Sequence, residues 1–200
     1  MDGSGTPPAG PVENDDLDLI RRVAAHDRQA FEALYRRHAR RVYGYLWKLL
    51  RRRYVVEEVL DDVMLVIWKD AARFNFTSRL STWILGIAHY KALKALRRCA
   101  PVPAEDLRPW EQADEGLGPE AAAERHELRR AVTRALETLS SEQRVVVELA
   151  FYHGRSYREI AEIVGRPVNT IKTRMLHARR RLAPVFAELA MDRLGPREEP

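Results

Sequence analysis

Residues 156–182 read SYREIAEIVGRPVNTIKTRMLHARRRL and constrain the fold of this chain more than any other stretch. Gly165 suits the left-handed position that ends a helix, and Pro167 suits the first turn of the next one. Beyond the proline, apolar residues recur at gaps of three and four, which predicts one buried stripe along a helix. The stripe consists of Val168, Ile171, Met175, Ala178 and Leu182. The stretch therefore predicts two helices joined by a tight turn.

The opposite face of the second predicted helix is polar and basic. Its members are Asn169, Lys172, Thr173, Leu176, His177 and Arg180. Residues 166–182 contain six Lys or Arg and no Asp or Glu, whereas an ordinary surface helix mixes both signs of charge. Because an α-helix fits the major groove of duplex DNA, the pattern predicts a DNA-binding helix-turn-helix. The alternative is an amphipathic hairpin with a solvated basic face.

The charge of the whole chain is modest, and its distribution carries more information than its sum. There are 34 Lys and Arg against 29 Asp and Glu among 200 residues, a net charge of +5. Basic residues cluster at 36–41, 51–53, 91–98 and 166–181, and acids at 57–62 and 105–124. Local basic clusters favour a nucleic-acid partner on particular faces.

Several classes of protein are disfavoured by what the sequence lacks. A single cysteine, Cys99, excludes an intrachain disulfide and a cysteine-based zinc site. No apolar run reaches the roughly 18 residues of a membrane span, and the N-terminus has no signal-peptide pattern. We therefore expect a cytoplasmic protein with no membrane insertion. No catalytic, metal or cofactor motif is visible; Cys99, beside Arg97 and Arg98, is a bystander thiol or, alternatively, a redox sensor.

Helical periodicity runs through the first half of the chain, and no alternating strand pattern appears. The Gly- and Pro-rich residues 1–13 are expected to be disordered. Helices are expected from about residue 17, over 31–50, over about 55–74 and over 82–98. Asp27 is expected to cap the second of these, and Ser81 or Thr82 the fourth.

The second half begins with a change in composition. Prolines, glycines and acids over 100–119 predict an extended acidic linker, or simply a passive tether. Helices are expected over 120–136 and 142–152, the latter with a capping box formed by Ser140 and Gln143. The predicted fold is all-α, with two small helical domains joined by an extended acidic linker and the helix-turn-helix in the second.

Four motifs, in this order, resemble bacterial RNA polymerase sigma factors of the extracytoplasmic-function (ECF) group, group IV of the sigma-70 family. They are FEALYRRHARRVYGYL, VEEVLDDVMLVIWKDAARF, STWILGIAHYKALKALRR and the stretch from Leu139 to Leu182. The resemblance covers about Asp15 to Leu189. It implies a disordered segment at 1–13, sigma region 2 at 14–99, the linker at 100–119, sigma region 4 at 120–190 and a flexible tail at 191–200.

The resemblance implies that region 4 reads the −35 promoter element as duplex DNA. The residues it assigns are Arg166, Asn169, Thr170, Lys172, Thr173, Arg174, Leu176, His177 and Arg179. Lys172, Thr173, Leu176 and His177 would face base edges. Asn169, Thr170, Arg174 and Arg179 would hold phosphates, which set register but not sequence.

Region 2 would capture −10 bases flipped out of the non-template strand, since aromatic faces stack unpaired bases and basic groups hold the backbone. The residues assigned are Phe76, Thr77, Ser78, Arg79, Ser81, Trp83, Tyr90, Lys91 and Lys94. The alternative to base stacking for Trp83 is a structural position in the core of the domain.

The resemblance also implies protein partners. Glu58, Asp61, Asp62, Leu65 and Trp68 would dock on a coiled coil of the largest catalytic subunit of core RNA polymerase; the alternative for the acids is a solvated helix start. Apolar residues of the second domain would partly meet the β-subunit flap and partly fill the core: Val145, Val146, Leu149 and Phe151. Inhibition would come from a separate anti-sigma protein.

Two other functions remain open on the sequence alone. A stand-alone regulator would use the same helix-turn-helix, but such proteins usually dimerise and no dimerisation helix is visible. An adaptor or anti-sigma protein would not need the basic recognition helix.

Overall fold

The computed structural model describes residues 11–98, 126 and 130–194 of the chain. Within these residues the regular structure is helical and contains no strand, which confirms the predicted all-α class. The chain divides into two compact units, which are described one at a time. The expected linker at 100–119 and the residues around Cys99 lie outside the described part.

The first unit is built from four helices and one short turn. Helix α1 spans Pro11–Ala24, α2 Arg28–Leu50, α3 Arg53–Asp70 and α4 Leu80–Arg98, and a 3-10 turn at Ala71–Arg73 follows α3. The helices pack on one another around a shared core. Its largest fully buried side chains are Ile20, Leu34, Tyr45, Leu46, Ile67, Leu80, Ile84 and Leu85. Inside this core the Tyr45 hydroxyl and His89 Nδ1 lie 2.8 Å apart and satisfy each other.

Two helix starts differ from expectation. Helix α1 begins at Pro11, so the disorder expected through residue 13 is wrong for residues 11–13. A proline suits a first helical turn, and the helix is tied to α2 because Arg37 Nη1 donates to Asp16 Oδ1 at 2.8 Å. Helix α4 begins at Leu80, so the cap expected at Ser81 or Thr82 is wrong. Thr82 is buried in the first turn, and its backbone N–H donates to the Arg79 carbonyl.

The cap expected at the start of α2 is confirmed. Asp27 Oδ1 accepts hydrogen bonds from the backbone N–H groups of Gln29 and Ala30, at 2.9 and 3.1 Å. The helix ends at Arg51, which adopts a left-handed conformation with φ +54°. The expected third helix is shorter than its periodicity indicated, because α3 tightens into the 3-10 turn after Asp70.

The second unit contains four helices within its described residues. A helix at 130–137 (α5) precedes α6 at Ser141–Val147, a π-helical turn at Glu148–Tyr152, α7 at Tyr157–Val164 and α8 at Val168–Leu194. The capping box of Ser140 and Gln143 is confirmed. The single helix expected over 142–152 is wrong in its second half, where the chain widens into the π turn. Leu149 in that turn is fully buried, whereas Phe151 is exposed.

A guanidinium group joins α5 to α6. Arg144 Nε donates to the Leu136 carbonyl at 3.2 Å, and Nη2 donates to the carbonyls of Glu137 and Leu139 at 3.4 Å each. Glu137 is the last residue of α5 and Leu139 lies just beyond it, where backbone acceptors have no partner within the helix. The Leu136 carbonyl also accepts from the Leu139 N–H, at 3.2 Å. Arg144 therefore completes the end of one helix from the start of the next.

The helix-turn-helix has the form that its sequence predicts. Gly165 is left-handed, with φ +63°, and the Pro167 carbonyl accepts from the N–H groups of Thr170 and Ile171 as α8 begins. The predicted stripe is buried at Ile171, Met175, Ala178 and Leu182, and Val168 is half-buried. The opposite face of α8 is therefore left to solvent.

Candidate nucleic-acid and polymerase interfaces

The outer face of α8 is a continuous exposed surface. Of the nine residues assigned to the −35 element, seven are exposed: Arg166, Asn169, Lys172, Thr173, Leu176, His177 and Arg179. Thr170 and Arg174 are half-buried. Leu176 leaves 48% of its surface in solvent, so this apolar side chain is not held in the core. An exposed leucine among basic and polar groups suits contact with a thymine methyl group.

One hydroxyl on this face already donates a hydrogen bond. Thr173 Oγ1 donates to the backbone carbonyl of Asn169, one turn earlier, at 3.0 Å. With its proton used inside the helix, the Thr173 oxygen retains only acceptor capacity. Thr173 therefore suits a base that presents an amino group.

The charge of Arg174 is shared with an acid of the same unit. Its Nη2 atom lies 3.2 Å from Glu142 Oε1 in the first turn of α6, and its side chain is 21% exposed. A phosphate would therefore have to share Arg174 with Glu142. Arg179 belongs to the fully exposed part of the basic face.

In the first unit, a short loop between the 3-10 turn and α4 presents Phe76. The Phe76 backbone is left-handed, with φ +60°, and 47% of the residue is exposed. A bulky side chain at positive φ is uncommon and strained, and such strain clusters at functional sites. The loop holds this conformation in part through Asn75 Oδ1, which accepts from the Thr77 N–H at 3.1 Å and the Thr77 hydroxyl at 2.7 Å.

Aromatic rings surround the base of this loop. The buried Phe74 ring lies 4.9 Å from the Phe76 ring and 5.5 Å from the Trp83 ring, between centroids. Trp83 is half-buried, so it packs on Phe74 while part of it stays accessible. Among the other loop and helix-start candidates, Thr77 and Arg79 are exposed, and Ser78 and Ser81 are half-buried.

A residue that the sequence did not single out also reaches this loop. The guanidinium carbon of Arg21, near the end of α1, lies 5.1 Å from the centroid of the Phe76 ring. Nothing in the periodicity of α1 distinguishes Arg21 from its neighbour Arg22, because the contact depends on how α1 packs beside the 3-10 turn.

The basic face of α4 has one strongly exposed aromatic residue. Tyr90 is 69% exposed, and Lys94, one turn later on the same face, is exposed. Lys91 differs from both: it is half-buried, and its Nζ lies 2.9 Å from Asp62 Oδ2 on α3. Tyr90 and Lys94 are thus accessible to a single strand of DNA, whereas Lys91 is already paired with the carboxylate of Asp62.

The five residues assigned to polymerase docking fall into two groups. Asp61, Leu65 and Trp68 line a groove of about 780 Å³ between α2 and α3, together with Phe31 and Tyr35. The Trp68 ring makes edge contacts with Phe31 at 5.2 Å and His26 at 5.5 Å. The second group faces α4 instead: Asp62 pairs with Lys91, and Glu58 with Arg98 at 3.3 Å.

The apolar residues assigned to the β flap also fall into two groups, one buried and one exposed. Val145, Val146 and Leu149 are buried in the second unit. Phe151 and its neighbour Tyr152 are exposed by 68% and 64%. Phe151 is therefore the member of that set which is open to a protein partner.

Two kinds of feature are absent from the described residues. No cluster of three or more His, Cys, Asp or Glu side chains there has the arrangement of a metal site. None of the helices in the described ranges has the length and hydropathy needed to cross a membrane.

Comparison with known proteins matches both units. A family model described as Sigma-70 region 2 matches residues 34–100, and one described as Sigma-70, region 4 matches residues 129–182, together more than half of the chain. The chain is 33% identical over 177 residues to the ECF RNA polymerase sigma factor SigK of Mycobacterium tuberculosis, covering 86% of this chain and 94% of the relative. It is 31% identical to SigK of Mycobacterium ulcerans, again over 177 residues that cover 86% of this chain and 94% of the relative.

Two solved structures share the fold. CnrH in complex with the cytosolic domain of CnrY has a TM-score of 0.63 and 22% identity, covering 87% of this chain and 98% of that one. The sigma factor RpoE in complex with the anti-sigma factor NepR from Bartonella quintana has a TM-score of 0.60 and 21% identity, covering 78% and 96%.

Proposed function

This chain belongs to the extracytoplasmic-function group of the sigma-70 family of RNA polymerase sigma factors, and we propose how its residues divide the work of promoter recognition and opening. Region 2, at 14–99, would take the −10 element as a single strand, and region 4, at 120–190, would read the −35 element as duplex. Residues 100–119 would link the two. The chain would act as a dissociable subunit of core RNA polymerase, without catalytic activity of its own and in the cytoplasm.

The observation that carries the −35 assignment is the exposed face of α8. Lys172, Leu176 and His177 are exposed on one side of a helix whose opposite side carries the buried stripe. Lys172 would donate to guanine, Leu176 would contact a thymine methyl, and Thr173 would accept from an amino group. Arg179 would hold phosphate and supply affinity that falls with salt.

The −10 assignment is supported by a different kind of surface. Phe76 and Tyr90 are exposed aromatic residues, 47% and 69% respectively, and each has basic side chains nearby on the same unit. Stacking on such rings suits unpaired bases of any identity. Trp83 would contribute an edge to this site rather than its main stacking face, since part of the ring packs on Phe74.

Polymerase docking is supported by the groove between α2 and α3. Its wall combines an exposed acid, Asp61, with the apolar Leu65 and Trp68, which suits an amphipathic partner helix with a basic side. We propose that this groove receives the coiled coil of the largest catalytic subunit. Phe151 would contact the β flap, and an anti-sigma protein would compete for these same surfaces.

Transcription with purified core polymerase tests the proposal. On a library of promoters, run-off product is expected only when both the chain and core are present, and the chain should co-migrate with core on gel filtration. Tight, sequence-specific duplex binding by the chain without core, together with no stimulation of core, would instead support a stand-alone regulator.

A further inference from the structure

The two arginines near the end of α1 have different surroundings. Arg22 is neutralised by two acids, with Nη2 2.8 Å from Asp27 Oδ2 and Nη1 3.7 Å from Asp18 Oδ2. Arg21 is exposed, and within the part of the chain that the structure describes no carboxylate pairs with it. Its guanidinium carbon instead lies 5.1 Å from the centroid of the Phe76 ring.

Phe76 needs such support because a left-handed backbone conformation is unfavourable for a phenylalanine. A phenylalanine at φ +60° keeps that conformation only where its surroundings hold it. The Asn75 side chain fixes the turn through its two hydrogen bonds with Thr77, which act on the loop backbone and the Thr77 hydroxyl. The ring itself contacts the Phe74 ring, with 4.9 Å between centroids, and the Arg21 guanidinium.

We propose that Arg21 is a positioning residue of the −10 single-strand site, holding the Phe76 ring in the orientation in which it stacks on an unpaired base. This inference rests on the proposed function, in which the Phe76 loop receives a −10 base. A guanidinium attracts the face of an aromatic ring through the ring quadrupole, and its flat shape lets it cover one side of the ring. A ring held in place before binding loses less conformational freedom when a base arrives.

Arginine is better suited to this role than lysine. Its planar, weakly hydrated group stacks on an aromatic face, whereas a lysine ammonium remains a compact, strongly hydrated charge. The contact also places α1 in the DNA site, although the helix carries none of the residues that the resemblance assigns to DNA. Base capture would then depend on the docking of α1 on the rest of the first unit.

The test measures strand binding by holoenzyme assembled from core polymerase and the full chain. The probes are a fluorescent non-template −10 strand and a series in which each −10 base is replaced in turn by an abasic site. Stacking by Phe76 should make one position sensitive to removal of its base, and Phe76→Ala should abolish that sensitivity. Arg21→Ala is expected to weaken binding of the intact strand by about two- to fivefold and to leave binding of the strand abasic at that position nearly unchanged.

Three comparisons separate positioning from other roles. Arg21→Ala should have no further effect in a Phe76→Ala background, and Arg21→Lys should keep part of the sensitivity to the missing base. Arg22→Ala is the matched control and should leave the ratio of intact to abasic binding unchanged. Thermal unfolding of each variant verifies that it is folded. If Arg21→Ala does not fold, Arg21→Gln takes its place.

The outcomes are distinct. If Phe76→Ala lowers the intact-strand preference and Arg21→Ala does not, the positioning role is wrong and the loop assignment stands. If Arg21→Ala weakens both strands equally and reduces the salt dependence in the Phe76→Ala background, Arg21 contacts phosphate directly, which also overturns the inference. If Phe76→Ala itself has no effect on any probe, the −10 assignment of the loop fails first.

Discussion

Asp62 on α3 and Lys91 on α4 form an ion pair, with 2.9 Å between Asp62 Oδ2 and Lys91 Nζ. The family resemblance assigns Asp62 to polymerase docking and Lys91 to the DNA strand, so one contact joins two proposed interfaces. In the unbound chain the charge of Lys91 is partly neutralised by Asp62. A strand that binds at α4 must therefore compete with a carboxylate for this lysine.

Replacing Asp62 with Asn is expected to raise the affinity of the chain for single-stranded −10 DNA, because Lys91 becomes available to a phosphate. The slope of log affinity against log salt should steepen by about 0.7. Filter binding or anisotropy across a salt series measures both. Glu57→Gln is the control, since it removes one negative charge from α3 but its partner is Arg53 on the same helix. Equal gains from the two variants would mean that net charge alone is responsible.

Glu142→Gln is expected to strengthen binding of duplex DNA, because Arg174 no longer has its carboxylate partner 3.2 Å away. The gain should be similar for all sequences and should steepen the salt slope by about 0.9, the value for one added phosphate contact. Duplex binding is measured with −35 and unrelated sequences. In an Arg174→Ala background the gain should disappear; a gain that persists there would show that Glu142 acts on another group.

Asp16→Asn is expected to lower stability at neutral pH. Burial alone would raise the pKa of Asp16, but His38 and Arg37, at 3.3 and 2.8 Å, outweigh it and hold that pKa below its ordinary value. The stabilisation is therefore complete above the ordinary aspartate range near pH 4 and is lost as pH falls through the lower, folded-state pKa. The cost at pH 7 should be about 1.5–3 kcal/mol, typical of charged hydrogen bonds.

Urea unfolding of the Asp16 variant at several pH values measures this effect. The difference from the natural chain should narrow below about pH 4, where an ordinary aspartate protonates. Asp18→Asn, at an exposed position that pairs weakly with Arg22 at 3.7 Å, should cost little. A difference that stays constant between pH 7 and pH 3 would contradict the assignment of the effect to the charge of Asp16.

Arg144→Met is expected to destabilise the second unit by about 1–3 kcal/mol, because three carbonyls at and just beyond the end of α5 lose a charged donor. Methionine keeps a long apolar stem, so the loss reports the hydrogen bonds rather than packing. Arg134→Met, at an exposed position on α5, is the comparison and should change stability by less than about 0.5 kcal/mol. Denaturant unfolding followed by circular dichroism distinguishes the two; equal effects would mean that the carbonyl contacts contribute nothing.

The sequence predicted those features that depend on neighbours along the chain. The buried stripe of α8, the left-handed Gly165 and the caps at Asp27 and Ser140 follow from periodicity and local hydrogen bonding. Features set by distant residues were not predictable. The start of α4 at Leu80 reflects burial of that side chain, and the contact of Arg21 with Phe76 joins residues 55 positions apart.

The candidate sites show the same division. Helical spacing placed Lys172 and His177 on an exposed face, and the structure places them there. Spacing alone treated Asp61 and Asp62 alike. In the structure Asp61 lines the groove, whereas Asp62 pairs with Lys91 on α4, 29 residues later in the chain. Ion pairs between helices depend on packing angles, which a single sequence does not reveal.

The central claim is that each unit recognises its own promoter element, and selection of active promoters from a library randomised at −35 and −10 tests it most directly. The natural chain, Lys172→Ala and Arg179→Ala are each assembled with core polymerase. We expect Lys172→Ala to relax the choice of base within −35 and to leave the −10 preference unaltered, because the exposed Lys172 is proposed to contact base edges. Arg179→Ala should lower activity evenly across sequences. Equal loss on all promoters from both variants, or a shift in the −10 preference, would contradict the account.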